Sequence, residues 1–319
     1  MSSITHTLRR LAGQRGPSTG AGLDADEAGH LWGAVLDGGV PDLELGALLA
    51  GFACAGITPD ELTGLHRAIH ARSVRWSPLP GRRVVSIPVY GLARDEAAFA
   101  VLLAAFLRRV DLPVLLHGPL EAGDGPSVAA LLRELGTLPS ASLADAEREL
   151  RGHGLAFVPT ALLSPGLASV VALRARIALA GPAHVAACAI DPGGMGAMRV
   201  AFAVPDTPCA NLAPFLRTTE GDALLLAWPG PGAVDLSRRP RVTHLSSGTE
   251  RLLFEAESGA SSPPLADPAA AVRSIAARAM PVPLPLVNLA AACLVATGMA
   301  PDLSQAKAVV ALQSGRLAA

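Results

Sequence analysis

Apolar positions between residues 24 and 72 recur at three- and four-residue spacing, the period of helices with one buried face. Leu31, Val35 and Leu36 follow Asp24, and Glu27, three residues after that aspartate, completes a capping-box pattern. Gly38-Gly39 ends this helix. Pro41-Asp42 starts a second, carrying Leu45, Leu48, Leu49 and Phe52, and Gly56 closes it. Thr58-Pro59-Asp60-Glu61 opens a third, with a hydroxyl at the N-cap, proline at the first helical position and acids facing the positive end of the helix dipole. That helix carries Leu62, Leu65 and Ile69 and ends near Arg72, and the Pro/Gly-rich stretch 77–81 reads as a linker.

Beyond the linker the apolar runs shorten. Val84 to Val89 and Pro113 to His117 read as strands, with a helix from about Arg94 to Arg109 between them, which is the crossover unit of a parallel sheet. Further strands are expected at 155–158, 198–204, 223–227 and 251–256, and helices near 126–135, 162–179 and 211–219. Late helices are expected from Asp267-Pro268, from Leu286 after the break at Pro281 to Pro285, and from Pro301-Asp302. The pattern predicts a small helical domain, residues 1–76, and a large α/β domain, residues 77–319, with a mostly parallel central sheet and some later helices packing back on the helical domain.

Charge narrows the functions open to such a chain. Its 26 basic residues against 27 acidic ones leave a net charge of -1, which excludes a uniformly basic nucleic-acid-binding surface. The arginines are nevertheless clustered. Arg9, Arg10 and Arg15 lie on a Gly-rich N-terminal segment expected to be a flexible arm, Arg72, Arg75, Arg82 and Arg83 bracket the linker, and Arg238, Arg239 and Arg241 fall in an expected loop. Each cluster alone reads as a solvated patch; together they imply an uneven surface potential. Trp32, Trp76, Trp228 and Tyr90 are the few aromatics suited to stacking on bases, so polyanion binding would be backbone-dominated and weakly sequence-specific.

Other features point to ordinary structure. Cys54, Cys188, Cys209 and Cys293 are far apart and read as buried thiols of a cytoplasmic protein. No apolar run of signal-peptide or membrane-spanning length is present, so no membrane contact is expected. His66 and His70 sit four apart on a helix without a third ligand and read as surface histidines, and no metal site is expected. The glycine cluster 193–196 precedes a strand and reads as a turn.

Several segments carry a family resemblance: residues 23–28 (LDADEA), 36–39 (LDGG), 47–50 (ALLA) and 58–64 (TPDELTG) resemble the N-terminal helical domain of anthranilate phosphoribosyltransferases, and the likeness continues through the α/β part to Leu116-His117-Gly118. Residues 41–46 (PDLELG) and 293–298 (CLVATG) are more specifically similar to the YbiB branch of that superfamily, TrpD-like proteins that bind nucleic acid. The resemblance implies a nucleoside phosphorylase/phosphoribosyltransferase-like fold, and a homodimer formed through the helical domain.

The transferase chemistry needs a phosphate cradle of backbone N–H groups, because these and a helix dipole stabilise pyrophosphate. The family's GTGGD motif falls on Pro88-Val89-Tyr90-Gly91-Leu92, where only Gly91 is retained and Pro88 has no N–H to donate. The family's KHGN becomes Leu116-His117-Gly118-Pro119, and its magnesium-binding Asp-Glu pair is replaced by a turn, residues 229–235, holding one acid, Asp235. Arg174 falls where the family has its anthranilate-carboxylate arginine, and Arg176 is near. The expectation is a chain without catalytic residues or cofactor, whose Tyr90, Arg94, Arg174 and Arg176 face the former cleft and receive a polyanion such as DNA or RNA. Two other readings stand beside it: an active transferase with an altered donor site, which would use magnesium, and a dimeric regulatory protein that binds a small anion.

Overall fold

Capping chemistry fixes where the first helices begin in the computed structural model, which describes residues 2–12, 22–74, 82–92, 94–121, 125–178, 181–192, 196–203, 212–219, 221–228, 237–246, 248–258 and 265–314. After α1 (Ser2–Ala12) come α2 (Ala25–Leu36), α3 (Asp42–Ala55) and α4 (Pro59–Ala71). Asp24 and Glu27 form a reciprocal capping box on α2, and Thr58 and Glu61 form one on α4. Glu61 is fully buried and also accepts from Leu23 N at 3.0 Å, which ties the start of α2 to α4. The two helices pack so closely that a Cβ on Gly64 would lie 2.3 Å from the Ala25 carbonyl oxygen.

The sheet follows: β1 (Val85–Pro88), α5 (Arg94–Arg109), β2 (Val114–Gly118), α6 (Val128–Arg133), α7 (Leu143–His153) and β3 (Leu155–Pro159). Short helices α8 (Thr160–Leu163), α9 (Pro165–Ala172), α10 (Arg174–Ile177) and α11 (Pro182–Ala187) lead to β4 (Met198–Ala203), α12 (Leu212–Thr218) and β5 (Ala223–Ala227). The chain closes with β6 (Arg241–Ser246), β7 (Thr249–Phe254), α13 (Pro268–Ala276), α14 (Leu284–Ala296) and α15 (Leu303–Ser314). The strand order is β3-β2-β1-β4-β5-β6-β7, parallel from β3 to β5 and antiparallel at β6 and β7. Strands buried along their whole length, such as β1, β2 and β4, need cover on both faces. One core joins α5, α6, α13, α14 and α15 to the sheet, a second joins α2–α4, α9, α11 and α12 to it, and a smaller third packs α7 and α8 on β2 and β3.

Five expectations are corrected. The N-terminal segment up to Ala12 is a helix rather than a flexible arm, because Thr7 is buried and Ile4 and Leu8 pack on the second core. The single helix expected at 162–179 is broken into α8, α9 and α10, the first break falling at Ser164-Pro165, where proline cannot donate to a continuing helix. Arg241 opens strand β6 instead of lying in a loop, and the strand expected at 251–256 is β7, two residues earlier. Cys54 is exposed, whereas Cys188 and Cys293 are buried; Cys209 lies outside the described residues. None of the described helices is long and apolar enough to cross a membrane.

Candidate functional site

The parallel strands β1 and β2 end side by side, and the residues immediately after them set the chemistry at the carboxyl edge of the sheet. Val89 N donates to the His117 carbonyl at 2.9 Å, so the ladder continues one residue past β1. The Val89 side chain then lies where a Cβ on Gly118 would stand 2.4 Å from its Cγ2. Tyr90 is fully buried, its ring edge-on to that of His117, with its hydroxyl 3.3 Å from His117 Nδ1 and 3.5 Å from Thr160 Oγ1. Burial pushes the Tyr90 hydroxyl pKa up and pulls His117 down to about 3, so both are neutral at ordinary pH. Leu92 is half-buried against the first core, and Gly91, at φ +68, is exposed. The segment aligned with a phosphate cradle is therefore filled by side chains. Tyr90, expected to face the cleft, belongs to the core.

Arg174 and Gly91 do come together. A Cβ on Gly91 would lie 3.1 Å from Arg174 Nη1 and 3.7 Å from His184 Cδ2. Arg174, His184, Gly181 and Ala183 line a small hollow of about 10 Å³, room for roughly one water, with Val170, Ile177 and, from the helical domain, Leu49. Ala178, which follows α10, is in the left-handed region at φ 55 and donates its N–H to the Arg174 carbonyl at 2.8 Å. His184 is only 4% exposed; its Nδ1 makes no hydrogen bond of good geometry among the described residues, although the Gly181 carbonyl lies by the ring. Burial, helped by the positive charge of Arg174 and partly offset by that carbonyl, lowers its pKa to about 4. The sequence reading missed His184; the signal was a Gly181-Pro182 helix start placing one imidazole in the apolar run Ala183 to Ile190.

The other arginines have different surroundings. Arg176 is exposed on α10, and neither it nor Arg174 has an ion-pair partner among the described residues. Arg94 opens α5, but its side chain is not among those described. In the peripheral clusters, Arg10 pairs with Glu27 at 3.0 Å, Arg72 meets both oxygens of Asp37 at 2.7 Å, and Arg82 does the same to Asp111 at 3.1 and 3.0 Å. Arg83 pairs with Asp222 and also donates to the carbonyls of Gly196 and Ala296. Arg239 faces Glu257 at 3.5 Å and stacks over Phe254, and Arg241 faces Glu255 at 3.1 Å. Such exposed pairs add little stability, but they cancel the local field that a polyanion would feel. Arg9 is exposed and Arg238 has a partner of its own; Arg15, Arg75, Trp76, Asp235 and most of the glycine cluster 193–196 lie outside the described residues.

Trp32 and Trp228 are buried and offer no stacking surface. His66 is not a surface histidine: it packs edge-on against Phe215, its Nε2 lies 3.4 Å from the Ala189 carbonyl, and burial lowers its pKa to about 4. Among the described residues no group of three metal-ligating side chains converges.

A helical bundle set against a largely parallel sheet, with a hollow between them at the carboxyl ends of the strands, is the architecture of the anthranilate phosphoribosyltransferases. The anthranilate phosphoribosyltransferase (TrpD) from Thermus thermophilus matches with a TM-score of 0.74 at 19% identity, over 99% of this chain and 95% of that one. The enzyme from Saccharomyces cerevisiae, solved in complex with PRPP and Mg, gives 0.69 at 11% identity, over 98% and 94% of the two chains. Residues 18–73 match the helical bundle domain of the glycosyl transferase family. In sequence, YbiB of Escherichia coli (strain K12) is 30% identical over 93% of this chain and 95% of its own. The anthranilate phosphoribosyltransferase of Sphingopyxis alaskensis is 27% identical over 50% of this chain and 48% of its own. The chain belongs to the anthranilate phosphoribosyltransferase superfamily as a YbiB-like member.

Proposed function

We propose that this protein transfers no phosphoribosyl group and binds nucleic acid with little sequence preference, through the rim of the interdomain hollow. The observation that carries the reading is the contrast at the site. The donor loop is packed shut by Val89 and Tyr90, while Arg174 beside it and Arg176 on the same helix have no ion-pair partner among the described residues. A cradle must present backbone N–H groups to the anion, and here Pro88 has none and the Val89 N–H is already spent on His117. Charge without a cradle suits phosphate contacts that position a backbone rather than chemistry on a diphosphate. The peripheral patches contribute less, because carboxylates already neutralise Arg10, Arg72, Arg82, Arg83, Arg239 and Arg241.

Fluorescence anisotropy of a labelled single-stranded oligonucleotide against salt tests the reading. Affinity should fall steeply with salt, and Arg176→Gln should flatten the log–log slope by about 0.7, the loss of one phosphate contact on a single strand. Arg241→Gln, which removes an arginine already paired with Glu255, should leave the slope where it was. Absence of binding at low salt would overturn the proposal.

A further inference from the structure

Helix α5 starts shortly after Gly91 at the carboxyl edge of the sheet and ends in Arg108 and Arg109 at the amino edge, beside the end of α13. Arg109, half-buried, donates through Nη2 to the carbonyls of Ala276 at 2.6 Å and Ile275 at 3.4 Å. Arg108 and Arg278 are exposed, and their side chains make no hydrogen bond or ion pair among the described residues. Burial lowers the Arg109 pKa, and the charges of Arg278 and Arg108 lower it further, so three like charges stand together. The acid that follows α5, Asp111, is already held by both terminal nitrogens of Arg82, at 3.1 and 3.0 Å.

Cations at a helix carboxyl end complement its dipole, and Arg109 does so for α5 and α13 together. Arg278 needs a further reason. It closes α13 in the left-handed region at φ 60, with Ala279 N donating to the Ser274 carbonyl at 2.8 Å and Arg278 N to the Ile275 carbonyl at 3.1 Å. Glycine fills that position without crowding, and α7 does end on a glycine, Gly154, at φ 68. Asp111 takes the corresponding place after α5 at φ 63, where its carboxylate is used by Arg82. Arg278 strains the backbone and adds a like charge beside Arg109 without gaining a partner from the fold. A phosphate set against the guanidinium groups gives that side chain a use, because each planar fork matches two phosphate oxygens.

This face is remote from Arg174 and Arg176. The 16 residues of α5 span about 24 Å, and between Ala97 and Leu107 all but Ala105 are buried, so packed core rather than a groove separates its two ends. A short strand that lies on one face does not reach the other.

We infer that Arg108, Arg109 and Arg278 form a second phosphate-binding face, on which one protomer holds a nucleic-acid segment separate from the segment at the Arg174 and Arg176 rim. This rests on the nucleic-acid reading above and adds to it that a single chain bridges two segments.

Equilibrium dialysis at low salt, with a labelled single-stranded oligonucleotide of about five nucleotides, counts the faces per protomer whatever the oligomeric state. The unaltered protein should saturate at two oligonucleotides per protomer, and Arg108→Gln/Arg278→Gly at one. Glycine relieves the left-handed position, so this variant should melt no lower than the unaltered protein, which separates lost binding from lost folding. Arg176→Gln should weaken one class of sites and leave the other at its original affinity. Saturation of the unaltered protein at one oligonucleotide, with that affinity lowered by Arg176→Gln, would overturn the inference and leave the rim reading standing. Two oligonucleotides bound by both proteins would overturn the assignment to this face, and no binding at low salt would remove both readings.

Discussion

Tyr90→Ala should destabilise the protein by about 3–5 kcal/mol, the usual cost of deleting a large buried aromatic side chain. The ring is fully buried between the sheet and the helical bundle, and it meets His117, Thr160 and the second core together. Tyr90→Phe keeps the packing and loses one hydroxyl, so it should cost about 1 kcal/mol. Denaturant midpoints for the two variants distinguish this role from a ligand-binding one. A tyrosine facing an open cleft would tolerate alanine with a change of about 0.5 kcal/mol or less. The prediction also carries functional weight. If Tyr90 is structural, the segment aligned with the phosphate loop is maintained as a wedge, and its departure from the GTGGD pattern is built into the fold.

Acid should unfold the protein from a higher pH than its carboxylates alone would dictate. His66, His117 and His184 are held neutral by burial, with pKa values of about 4, 3 and 4, whereas an unfolded histidine titrates near 6.5. Below pH 6.5 the unfolded chain therefore binds protons that the folded chain refuses, so stability falls as pH drops from 6.5 towards 4. Above that window the three groups contribute no pH dependence. Each can remove on the order of 3 kcal/mol by pH 4, so together they are comparable with the whole stability of a typical domain. Melting temperature followed by circular dichroism should be level from pH 8 to 7 and fall steeply between pH 6 and 4.5. A flat profile to pH 4.5 would show that these imidazoles are not buried as described.

The helical bundle was legible because its signals are local. Asp24 with Glu27 and Thr58 with Glu61 cap the helices they announce, and the glycines Gly38, Gly39 and Gly56 end them within a residue or two. The parallel strands were legible as short apolar runs between turn residues. β6 was hidden because its first residue belongs to an arginine cluster and its apolar residues do not alternate: Val242 and Leu245 point to opposite faces, into different cores, with the buried Thr243 and half-buried His244 between them. Helix α7 has a polar composition and only Ala146 and Leu150 buried, too faint a stripe to stand out.

The site was half legible. Motif alignment brought Gly91 and Arg174 to one place across more than eighty residues of chain, and the two are in contact range. Tyr90 was misplaced because an aromatic followed by Gly91 and, four residues on, by Arg94 reads as exposed, yet the uninterrupted burial of β1 continues through Val89 into it. The basic clusters were visible as residues, but their neutralising partners, such as Asp37 for Arg72 and Asp111 for Arg82, are distant in sequence and became neighbours only on folding. His184 carries no motif, and its chemistry comes from burial beside Arg174.

The filled donor loop is the central claim, and calorimetric titration with phosphoribosyl pyrophosphate in magnesium-containing buffer, followed by an assay with anthranilate, measures it most directly. The packing of Val89 and Tyr90 predicts no saturable binding below about 1 mM, the upper end of ordinary Michaelis constants, and no turnover. Micromolar binding of the donor, or phosphoribosyl transfer to anthranilate, would contradict it.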